Sequence, residues 1–372
     1  MSLSTPARLF ETATGPEVSV GGRHYLHFGG TGYLDIQRRS ELVAAADQAL
    51  RQYGLHPATS RLGFGDSPPL LAAEAEAAQF FGTEAAWLLP SGWLGPAVLL
   101  EAQHRPTDRL YLDHDAHFAL RDAARLTGRP CHYFAHREAE SLRELIRSTL
   151  APGERPVVLT DGVFAVHGRI APLRAYAGVL AGYAEALLVV DDAHGFGVLG
   201  SQGHGTAEHL ALGAQPGLLV AGTASKALGG YGGLLTGPAG EIARLQAGSS
   251  VFAGSTPPPA PVAAATAAAL RIARLEPGLR TRLADNIAAL RRGLRGLGLA
   301  VEDLPTPMIP LVLPDGAAMQ RLHEALRGDG VLVPYLPRYT GLGPHGALRL
   351  AVLATHGPEQ IGRLLASLQR HL

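Results

Sequence analysis

The sequence predicts an α/β protein with a mostly parallel central sheet flanked by helices, followed by a smaller α+β region. Short apolar runs alternate with helical stretches between residues 86 and 221. These runs are too apolar to leave one face in water, which is typical of parallel strands covered on both sides. Hydrophobic residues make up 47% of the chain and charged residues 17%, which favours a globular protein over a disordered one. A length of 372 residues allows two or three domains.

The predicted elements follow from apolar periodicity and from the Gly- and Pro-rich loops between periodic stretches. The chain begins with a strand at 24–28 and amphipathic helices at 38–52 and 70–81. Five buried strands are predicted at 86–89, 109–112, 157–160, 187–190 and 218–221. Helices between most of them are predicted at 93–103, 118–126, 139–150 and 173–185.

A second region is predicted after the proline run at 257–259. It contains long helical stretches to about residue 297, strands at 309–313, 331–334 and 348–353, and a closing helix at 358–371. We therefore expect an N-terminal segment at 1–40, a large domain at 41–260 and a small C-terminal domain at 261–372.

Charge and composition exclude several classes of protein. The 32 basic residues balance 32 acidic ones, so no positive field is available to bind nucleic acid or an anionic membrane. A single cysteine, Cys131, cannot form an intrachain disulfide. Neither a signal peptide at 1–10 nor a membrane-spanning apolar stretch is evident. We expect a soluble, cytoplasmic protein.

Lysine usage marks one residue for chemistry. Of the 32 basic residues, 31 are arginine and only Lys226 is lysine. A guanidinium stays protonated and does not act as a nucleophile, whereas a partly desolvated lysine amine can form a Schiff base. A lysine that remains where arginine has replaced all the others is therefore a candidate for covalent catalysis. The alternative is an ordinary surface lysine.

Other chemical side chains follow the predicted strands. Asp191 and His194 come directly after one strand, Lys226 lies just past the next, and Asp161 ends a third. In a parallel sheet these positions share the carboxyl edge, where ligands bind. Ser91 and Gly92 end another strand and open a helix, whose exposed N–H groups suit a phosphate. An amine and a carboxylate beside a phosphate site fit pyridoxal phosphate (PLP), in which the ring withdraws electrons from the substrate.

These motifs resemble the fold-type I PLP enzymes, specifically the α-oxoamine synthase family. The resemblance rests on Asp191-Asp192-Ala193-His194-Gly195 and Thr223-Ala224-Ser225-Lys226. Further ordered matches run from Tyr33-Leu34 through Ser91-Gly92, Asp113-His114-Asp115-Ala116-His117 and Thr160-Asp161-Gly162-Val163-Phe164 to Leu348-Arg349-Leu350 and His356. The resemblance therefore covers nearly the whole chain.

The resemblance implies a role for each matching residue. Lys226 would carry the cofactor as a Schiff base and later move the Cα proton, Asp191 would pair with the pyridine nitrogen, and His194 would lie near the phenolic oxygen. His117 would stack on the cofactor ring, and Arg349 would hold the substrate carboxylate. The remaining cofactor-binding positions would be Ser91, Gly92, Trp93, Asp161, Thr223, Ser225 and Ser255. Ser255 would reach the phosphate of a partner subunit, which implies a homodimer.

The implied reaction joins an amino acid to an acyl thioester, carried by coenzyme A or a carrier protein, with loss of CO2. Departures from the family pattern fall on the substrate side. The family's Asn-Asp-Tyr-Leu-Gly is Thr31-Gly32-Tyr33-Leu34-Asp35 here, and its Gly-rich segment before Ser-Arg is replaced at 56–61. Asp161 stands for a glutamate, Ala165 for a serine, and His167 for an aspartate. An aminotransferase, a side-chain-cleaving lyase and a non-catalytic relative therefore stay open as alternatives.

Two motifs have other interpretations. Asp191-Asp192-Ala193-His194 is similar to a helicase box, but that assignment requires an upstream Gly-Lys-Ser/Thr phosphate loop, and the only lysine lies downstream. Asp113, His114, Asp115 and His117 have ligand types that bind zinc. Asp115 is equally suited to cap a helix, and we expect no metal.

Overall fold

The computed structural model describes residues 9–213 and 215–372. These residues form two compact units. The larger unit contains Arg39–Phe164 and Arg169–Glu276. The smaller unit contains the described residues up to Arg38, together with Ala165–Gly168 and Pro277–Leu372.

The strands and helices are numbered in chain order. The strands are β1 (Glu17–Val20), β2 (Arg23–His27), β3 (Ala85–Leu89), β4 (Asp108–Asp113), β5 (Cys131–Phe134), β6 (Arg155–Asp161), β7 (Leu187–Asp191), β8 (Leu218–Thr223), β9 (Gly233–Gly237), β10 (Met308–Leu311), β11 (Val331–Leu332), β12 (Tyr335–Leu336) and β13 (Ala347–Ala351). The helices are α1 (Ser40–Tyr53), α2 (Pro68–Phe81), α3 (Leu94–Gln103), α4 (Phe118–Leu126), α5 (Ala139–Thr149), α6 (Leu173–Leu180), α7 (Thr206–His209), α8 (Ala239–Ala247), α9 (Ser250–Gly254), α10 (Ala260–Leu275), α11 (Gly278–Gly296), α12 (Gly316–Gly328) and α13 (Pro358–His371).

The larger unit is built on a seven-stranded sheet in the order β3-β9-β8-β7-β6-β4-β5. Strands β5, β4, β6, β7 and β8 pair in parallel, whereas β9 is antiparallel to both β8 and β3. Every residue of β6 and β7 is buried. The predicted mostly parallel sheet is therefore confirmed.

Alternate residues of the parallel strands enter two separate cores, as the two-residue repeat of a strand requires. Leu110, Val157 and Val189 pack in a cluster with residues of α3, α4 and α8. Their chain neighbours, among them Val158 and Val190, pack in a second cluster with residues of α5 and α6. Helices cover both faces, which explains why the strands read as continuous apolar runs.

Two strands of this sheet are not predicted from the sequence. Strand β5 reads Cys-His-Tyr-Phe and lies at the sheet edge, so it lacks the apolar run of a central strand. Strand β9 reads Gly-Leu-Leu-Thr-Gly and follows a glycine-rich run that favours a loop. Helix α6 also ends at Leu180, before the predicted end at 185.

The observed boundary between the units differs from the expected one near residue 260. Helix α10 follows that point but packs on α1 and α2 in the larger unit. Its buried face is rich in alanine, including Ala263 and Ala267, which permits a close approach of the helices. The division therefore falls between Glu276 and Pro277.

The smaller unit combines the N-terminal segment with the C-terminal region. Strand β2 pairs with β1 on one side and, in parallel, with β11 on the other. A second sheet has the order β10-β13-β12 and is antiparallel throughout. Helix α13 packs against α11 and α12. The described helices include none that is both long and apolar enough to span a membrane.

Candidate active site

The carboxyl edge of the large sheet gathers several predicted site residues. Asp161 at the end of β6 lies beside Asp191 at the end of β7, and Asp191 lies beside Ala221 on β8. The Gly162 amide donates to the Asp191 carbonyl over 2.8 Å. The Ala193 amide donates to Asp191 Oδ1 over 3.1 Å, so one carboxylate oxygen is fixed by the following turn.

Electrostatic effects show that four predicted residues lie close together. Burial lowers the pKa of His117, while the Asp191 carboxylate raises it and the Lys226 ammonium lowers it further. Burial also raises the pKa of Asp161 well above its usual range; the Asp191 charge adds to this rise and Lys226 opposes it. The His117 imidazole, two carboxylates and the chain's only lysine amine thus form one cluster of interacting charges.

His117 is held through both its backbone amide and its imidazole. Its amide donates to Asp161 Oδ2 over 2.8 Å, and its Nδ1 accepts from the Ala119 amide over 3.2 Å. The imidazole therefore serves as the N-cap of α4, a role that Asp115 was equally suited to take by sequence. Its ring meets the Trp93 indole edge to face, with centroids 5.4 Å apart. An Nδ1 that accepts a hydrogen bond fits the neutral ring that the lowered pKa indicates.

The turn from Ser91 to Trp93 precedes α3 and has the geometry of an anion site. The Trp93 amide donates to Ser91 Oγ over 3.2 Å. A Cβ atom added to Gly92 would lie 2.9 Å from Thr223, too close for a real contact. Glycine at position 92 therefore lets this turn approach the end of β8 at the start of a ten-residue helix, where the positive end of the helix dipole favours an anion. This backbone cradle fits a phosphate group.

The hydroxyls of Thr223 and Ser225 hold the glycine-rich loop after Lys226. Thr223 Oγ1 donates to the Gly232 carbonyl over 2.7 Å, and the Gly232 amide donates to Ser225 Oγ over 2.8 Å. Gly232 has a φ of 103°, and a Cβ there would lie 2.5 Å from the Leu89 carbonyl oxygen. Both hydroxyls thus shape the backbone on either side of Lys226. Ser225 Oγ accepts from Gly232 and has its proton to donate to an anion, whereas Thr223 donates its proton to the Gly232 carbonyl.

Two other predicted residues have different surroundings. His194 is buried three residues after Asp191. The Ser255 hydroxyl donates to the neighbouring Thr256 carbonyl over 3.3 Å. Among the described residues, Ser255 forms no hydrogen bond with the turn 91–93 or with Thr223. The structure therefore does not join Ser255 to the other predicted phosphate ligands of the same chain.

Arg349 lies in the smaller unit and is 92% buried, with 8% of its surface exposed. Its Nε donates to the Ala165 carbonyl over 2.8 Å, Nη1 to the Gly30 carbonyl over 3.1 Å, and Nη2 to the Tyr33 hydroxyl over 3.0 Å. Within the described chain no carboxylate lies within ion-pair distance of it. A guanidinium has five N–H donors, so two remain for an anion.

Two residues that the structure ties to this chemistry are not among the predicted ones. Tyr33 accepts from Arg349, and burial raises the pKa of its phenol. Asp192 is buried next to Asp191, and desolvation raises its pKa to about 7 although two hydrogen bonds from Thr206 lower it. The paired aspartates of the motif could have drawn attention to Asp192. Nothing in the sequence indicated that Tyr33 contacts Arg349.

The possible metal ligands near β4 bind one another instead. Asp113 is fully buried; its carboxylate accepts from His136 Nδ1 over 2.9 Å and from the Asp115 amide over 2.9 Å. His114 contacts Asp115, and His117 caps α4. Within residues 9–213 and 215–372, no group of three or more His, Cys, Asp or Glu side chains is arranged to hold a metal ion.

Comparison with known proteins gives consistent matches over almost the whole chain. The aminotransferase class I and II family matches residues 25–368. An 8-amino-7-oxononanoate synthase from Nitrosococcus oceani is 35% identical over 99% of this chain and 97% of its own length. Another 8-amino-7-oxononanoate synthase, from Cellvibrio japonicus, is 34% identical over 96% of this chain and 89% of its own length.

Among solved structures, serine palmitoyltransferase from Sphingomonas wittichii superposes with a TM-score of 0.88 at 26% identity, covering 96% of this chain and 89% of that one. A serine palmitoyltransferase from S. paucimobilis with a bound PLP–myriocin aldimine gives a TM-score of 0.90 at 23% identity, covering 98% and 91%. The second likeness concerns the fold alone.

Proposed function

This chain belongs to the aminotransferase class I and II family and, within it, to the α-oxoamine synthases, and on that premise we propose that it is a PLP-dependent acyltransferase. It condenses an amino acid with an acyl thioester and releases CO2, in the manner of an 8-amino-7-oxononanoate synthase. The main observation behind this proposal is that the chain's only lysine, Lys226, lies close enough to Asp191 and His117 for its charge to lower the pKa of His117.

Asp191, His194 and His117 are proposed to hold the cofactor ring. When bound, PLP supplies an electron sink for the bonds that break at the substrate Cα. The Asp191 carboxylate keeps the pyridine nitrogen protonated, because a nearby negative charge favours the cationic form of a base. The neutral His117 imidazole offers a flat apolar face to the ring, and His194 binds the phenolic oxygen. The mixed charges around Asp161, Asp191 and Lys226 support this arrangement.

The turn Ser91–Gly92–Trp93 is proposed to bind the phosphate, together with the hydroxyls of Thr223 and Ser225. The close approach of Gly92 to Thr223, which leaves no room for a Cβ, and the start of α3 support this assignment. A phosphate at a helix N-terminus receives backbone N–H donors and the favourable end of the helix dipole.

Lys226 is proposed to bind the cofactor aldehyde and to move protons at the substrate Cα. A lysine amine can act as a base only after it loses its own proton, which desolvation and a nearby positive charge promote. In the overall reaction the Cα–carboxyl bond breaks as CO2 leaves, a bond forms between Cα and the acyl carbon, and the carbon–sulfur bond breaks to release the thiol. Arginine at position 226 could not serve, since its guanidinium stays protonated.

Arg349 is proposed to bind the carboxylate of the amino acid substrate. It is buried, it donates only to neutral oxygens, and two of its N–H groups remain available. Burial of a cation without a counter-ion is unfavourable, so an incoming carboxylate would gain both Coulomb energy and hydrogen bonds. A guanidinium holds a carboxylate in a fixed plane through two parallel hydrogen bonds.

We also propose that the enzyme is a cytoplasmic homodimer. In the larger unit, Leu62 and Phe64 are 72% and 97% exposed, although the neighbouring Arg61 is firmly held by ion pairs to Asp66 and Glu74. A rigid segment that presents large apolar side chains is typical of a protein interface. Sedimentation should give twice the mass of 38.9 kDa, and Phe64→Glu should produce monomers. A wild-type monomer would contradict this proposal.

The proposed reaction is tested by incubating the PLP-loaded protein with a panel of amino acids and acyl thioesters. We expect CO2 and free thiol in equal amounts for one pairing, and borohydride reduction should attach the cofactor to Lys226. Lys226→Ala should abolish both results. Formation of a 2-oxo acid without thiol would instead support an aminotransferase, and no change in cofactor absorbance with any amino acid would support a non-catalytic relative.

A further inference from the structure

Asp192 lies between two proposed cofactor ligands in the chain, yet its side chain binds elsewhere. Only 1% of the residue is exposed. Its Oδ2 accepts from the Thr206 amide over 2.5 Å, and its Oδ1 accepts from the Thr206 hydroxyl over 2.6 Å. Both carboxylate oxygens are therefore committed to the first residue of α7.

Three glycines create the space that this carboxylate occupies. A Cβ added to Gly162, Gly195 or Gly205 would collide with a carboxylate oxygen of Asp192 in each case. Gly162 follows Asp161, Gly195 follows His194, and Gly205 precedes Thr206 with a φ of 101°. The loops after β6 and β7 and the start of α7 thus approach one another around a single side chain, at a distance only glycine permits.

The backbone of Asp192 fixes the turn that carries Asp191 and His194. Its amide donates to the Ala221 carbonyl on β8 over 2.7 Å. Its carbonyl accepts from the amides of Gly195 and Phe196, both over 3.0 Å. The side chain and the backbone of Asp192 therefore hold the same turn from two directions, through Thr206 and through Ala221.

From these contacts we propose that Asp192 is a positioning residue: its carboxylate, anchored on Thr206 and enclosed by three glycines, sets the orientation of the Asp191–His194 turn toward the cofactor. Because both of its carboxylate oxygens bind Thr206, Asp192 is assigned no direct contact with the cofactor. It acts as a buried, fully hydrogen-bonded support for residues that must keep an accurate geometry. This inference rests on the proposed cofactor, but it does not depend on which substrates are joined.

The chain offers a matched control in Glu208, a second carboxylate that joins α7 to a glycine loop. Glu208 accepts from the Ser201 hydroxyl over 2.9 Å, the Gln202 amide over 2.9 Å and the His204 amide over 2.8 Å. It therefore stabilises the same region through a similar set of bonds, and none of these bonds involves the Asp191–His194 turn. Replacing it tests the effect of loosening α7 alone.

The experiment compares PLP binding in Asp192→Ala, Asp192→Asn, Thr206→Val and Glu208→Ala, with thermal unfolding measured in parallel. We expect Asp192→Ala to raise the dissociation constant of PLP by about tenfold, the typical effect of removing one partner of a buried charged hydrogen bond. The pH titration of the visible absorption of bound PLP should also shift, since it follows the imine proton, whose pKa depends on the charge that Asp191 maintains on the ring nitrogen. Thr206→Val removes one of the two bonds and should give a smaller change in the same direction.

Asp192→Asn should restore near wild-type binding, because its amide can accept from the Thr206 backbone and donate to the Thr206 hydroxyl. Glu208→Ala should lower the unfolding temperature and leave PLP affinity and absorption unchanged. The proposal is overturned if Asp192→Ala leaves both cofactor readouts unchanged, or if Glu208→Ala changes them as much. If Asp192→Ala does not fold, Thr206→Val decides by the same criteria. Binding of PLP is measured without substrates, so failure of the proposed acyl transfer would remain a separate result.

Discussion

In the larger unit, buried charges of opposite sign lie within reach of one another, whereas the smaller unit buries two arginines among neutral oxygens. The guanidinium of Arg155 donates to both carboxylate oxygens of Asp108 over 2.7 and 2.9 Å, and both residues are buried. At the sheet edge, the acidic residues Asp161 and Asp191 share their surroundings with Lys226. These two groups of buried charges are therefore compensated within the chain.

Arg291 and Arg349 of the smaller unit have no such compensation. Arg291 is 2% exposed and donates to the carbonyls of Glu302, Thr306 and Met308 over 2.6, 2.9 and 3.1 Å. Desolvation lowers its pKa to about 10. In the described residues neither arginine has an ion-pair partner. The two differ in their outer nitrogens. Nη2 of Arg291 is shared among three acceptors and its Nε has no partner among the residues that the structure describes, whereas Arg349 bonds one acceptor through each nitrogen and keeps one N–H on each outer nitrogen for an anion. We infer that Arg291 stabilises the fold and that Arg349 binds an anionic ligand.

Substitution of Arg349 should show the largest effect of this difference. Arg349→Gln should raise the KM for the amino acid about 100-fold, the typical loss for a charge-assisted pair of hydrogen bonds, while kcat changes little because the interaction forms in the bound state as well as in the transition state. Steady-state kinetics with the amino acid varied at saturating thioester measure this. Arg363→Gln, an exposed arginine of α13, is the control. An unchanged KM would remove Arg349 from substrate binding.

Much of this architecture was predictable because it depends on patterns that survive in a single sequence. Buried parallel strands are apolar throughout, so the sequence located β4, β6, β7 and β8 within a few residues of their observed ends. Lys226 was identifiable as a candidate because, of the basic side chains, only a lysine amine can do the proposed chemistry. The edge strand β5 and the glycine-flanked β9 were missed because their pairing depends on neighbours that are distant in the chain.

Contacts between distant segments also explain what the sequence could not predict about the site. The enclosure of Asp192 requires Gly162, Gly195 and Gly205 to converge, and each glycine alone indicates only a flexible or tight turn. In the same way, the contact of Tyr33 with Arg349 joins residues 316 positions apart. Sequence patterns identify residue types that can do chemistry, whereas the residues that orient them emerge only from the fold.

A second substitution examines whether Arg291 only stabilises the fold and does not bind the substrate. Arg291→Met should lower the free energy of unfolding by about 3 kcal/mol, because it leaves buried carbonyl acceptors without a donor. The KM for the amino acid should remain within about threefold of wild type. Urea denaturation and the kinetics used for Arg349 measure the two quantities. A rise in KM comparable to that of Arg349→Gln would show that both buried arginines serve the substrate, and the inferred difference between them would then be wrong.

The smallest expected effect is a pH dependence of the stability of the smaller unit. Burial lowers the pKa of His356 to about 4, and its Nε2 hydrogen bond to the His27 carbonyl only partly opposes this. The pKa of the unfolded histidine is about 6.5, so between these values the unfolded chain binds the proton more strongly. Stability should therefore be complete above about pH 6.5 and fall by about 2 kcal/mol at pH 5.

Amide hydrogen exchange in β13 and α13, measured between pH 7 and pH 5 and corrected for the intrinsic rate, detects this loss in the smaller unit itself. His356→Gln should reduce the pH dependence, because glutamine can accept from the Leu353 amide as the imidazole does but does not titrate. His345→Gln alters an exposed histidine of the same unit and should leave the dependence unchanged. If wild-type protection stays constant over this range, the buried imidazole is not what makes this unit sensitive to acid. The adjacent His27, whose pKa burial also lowers, would account for any dependence that remains in His356→Gln.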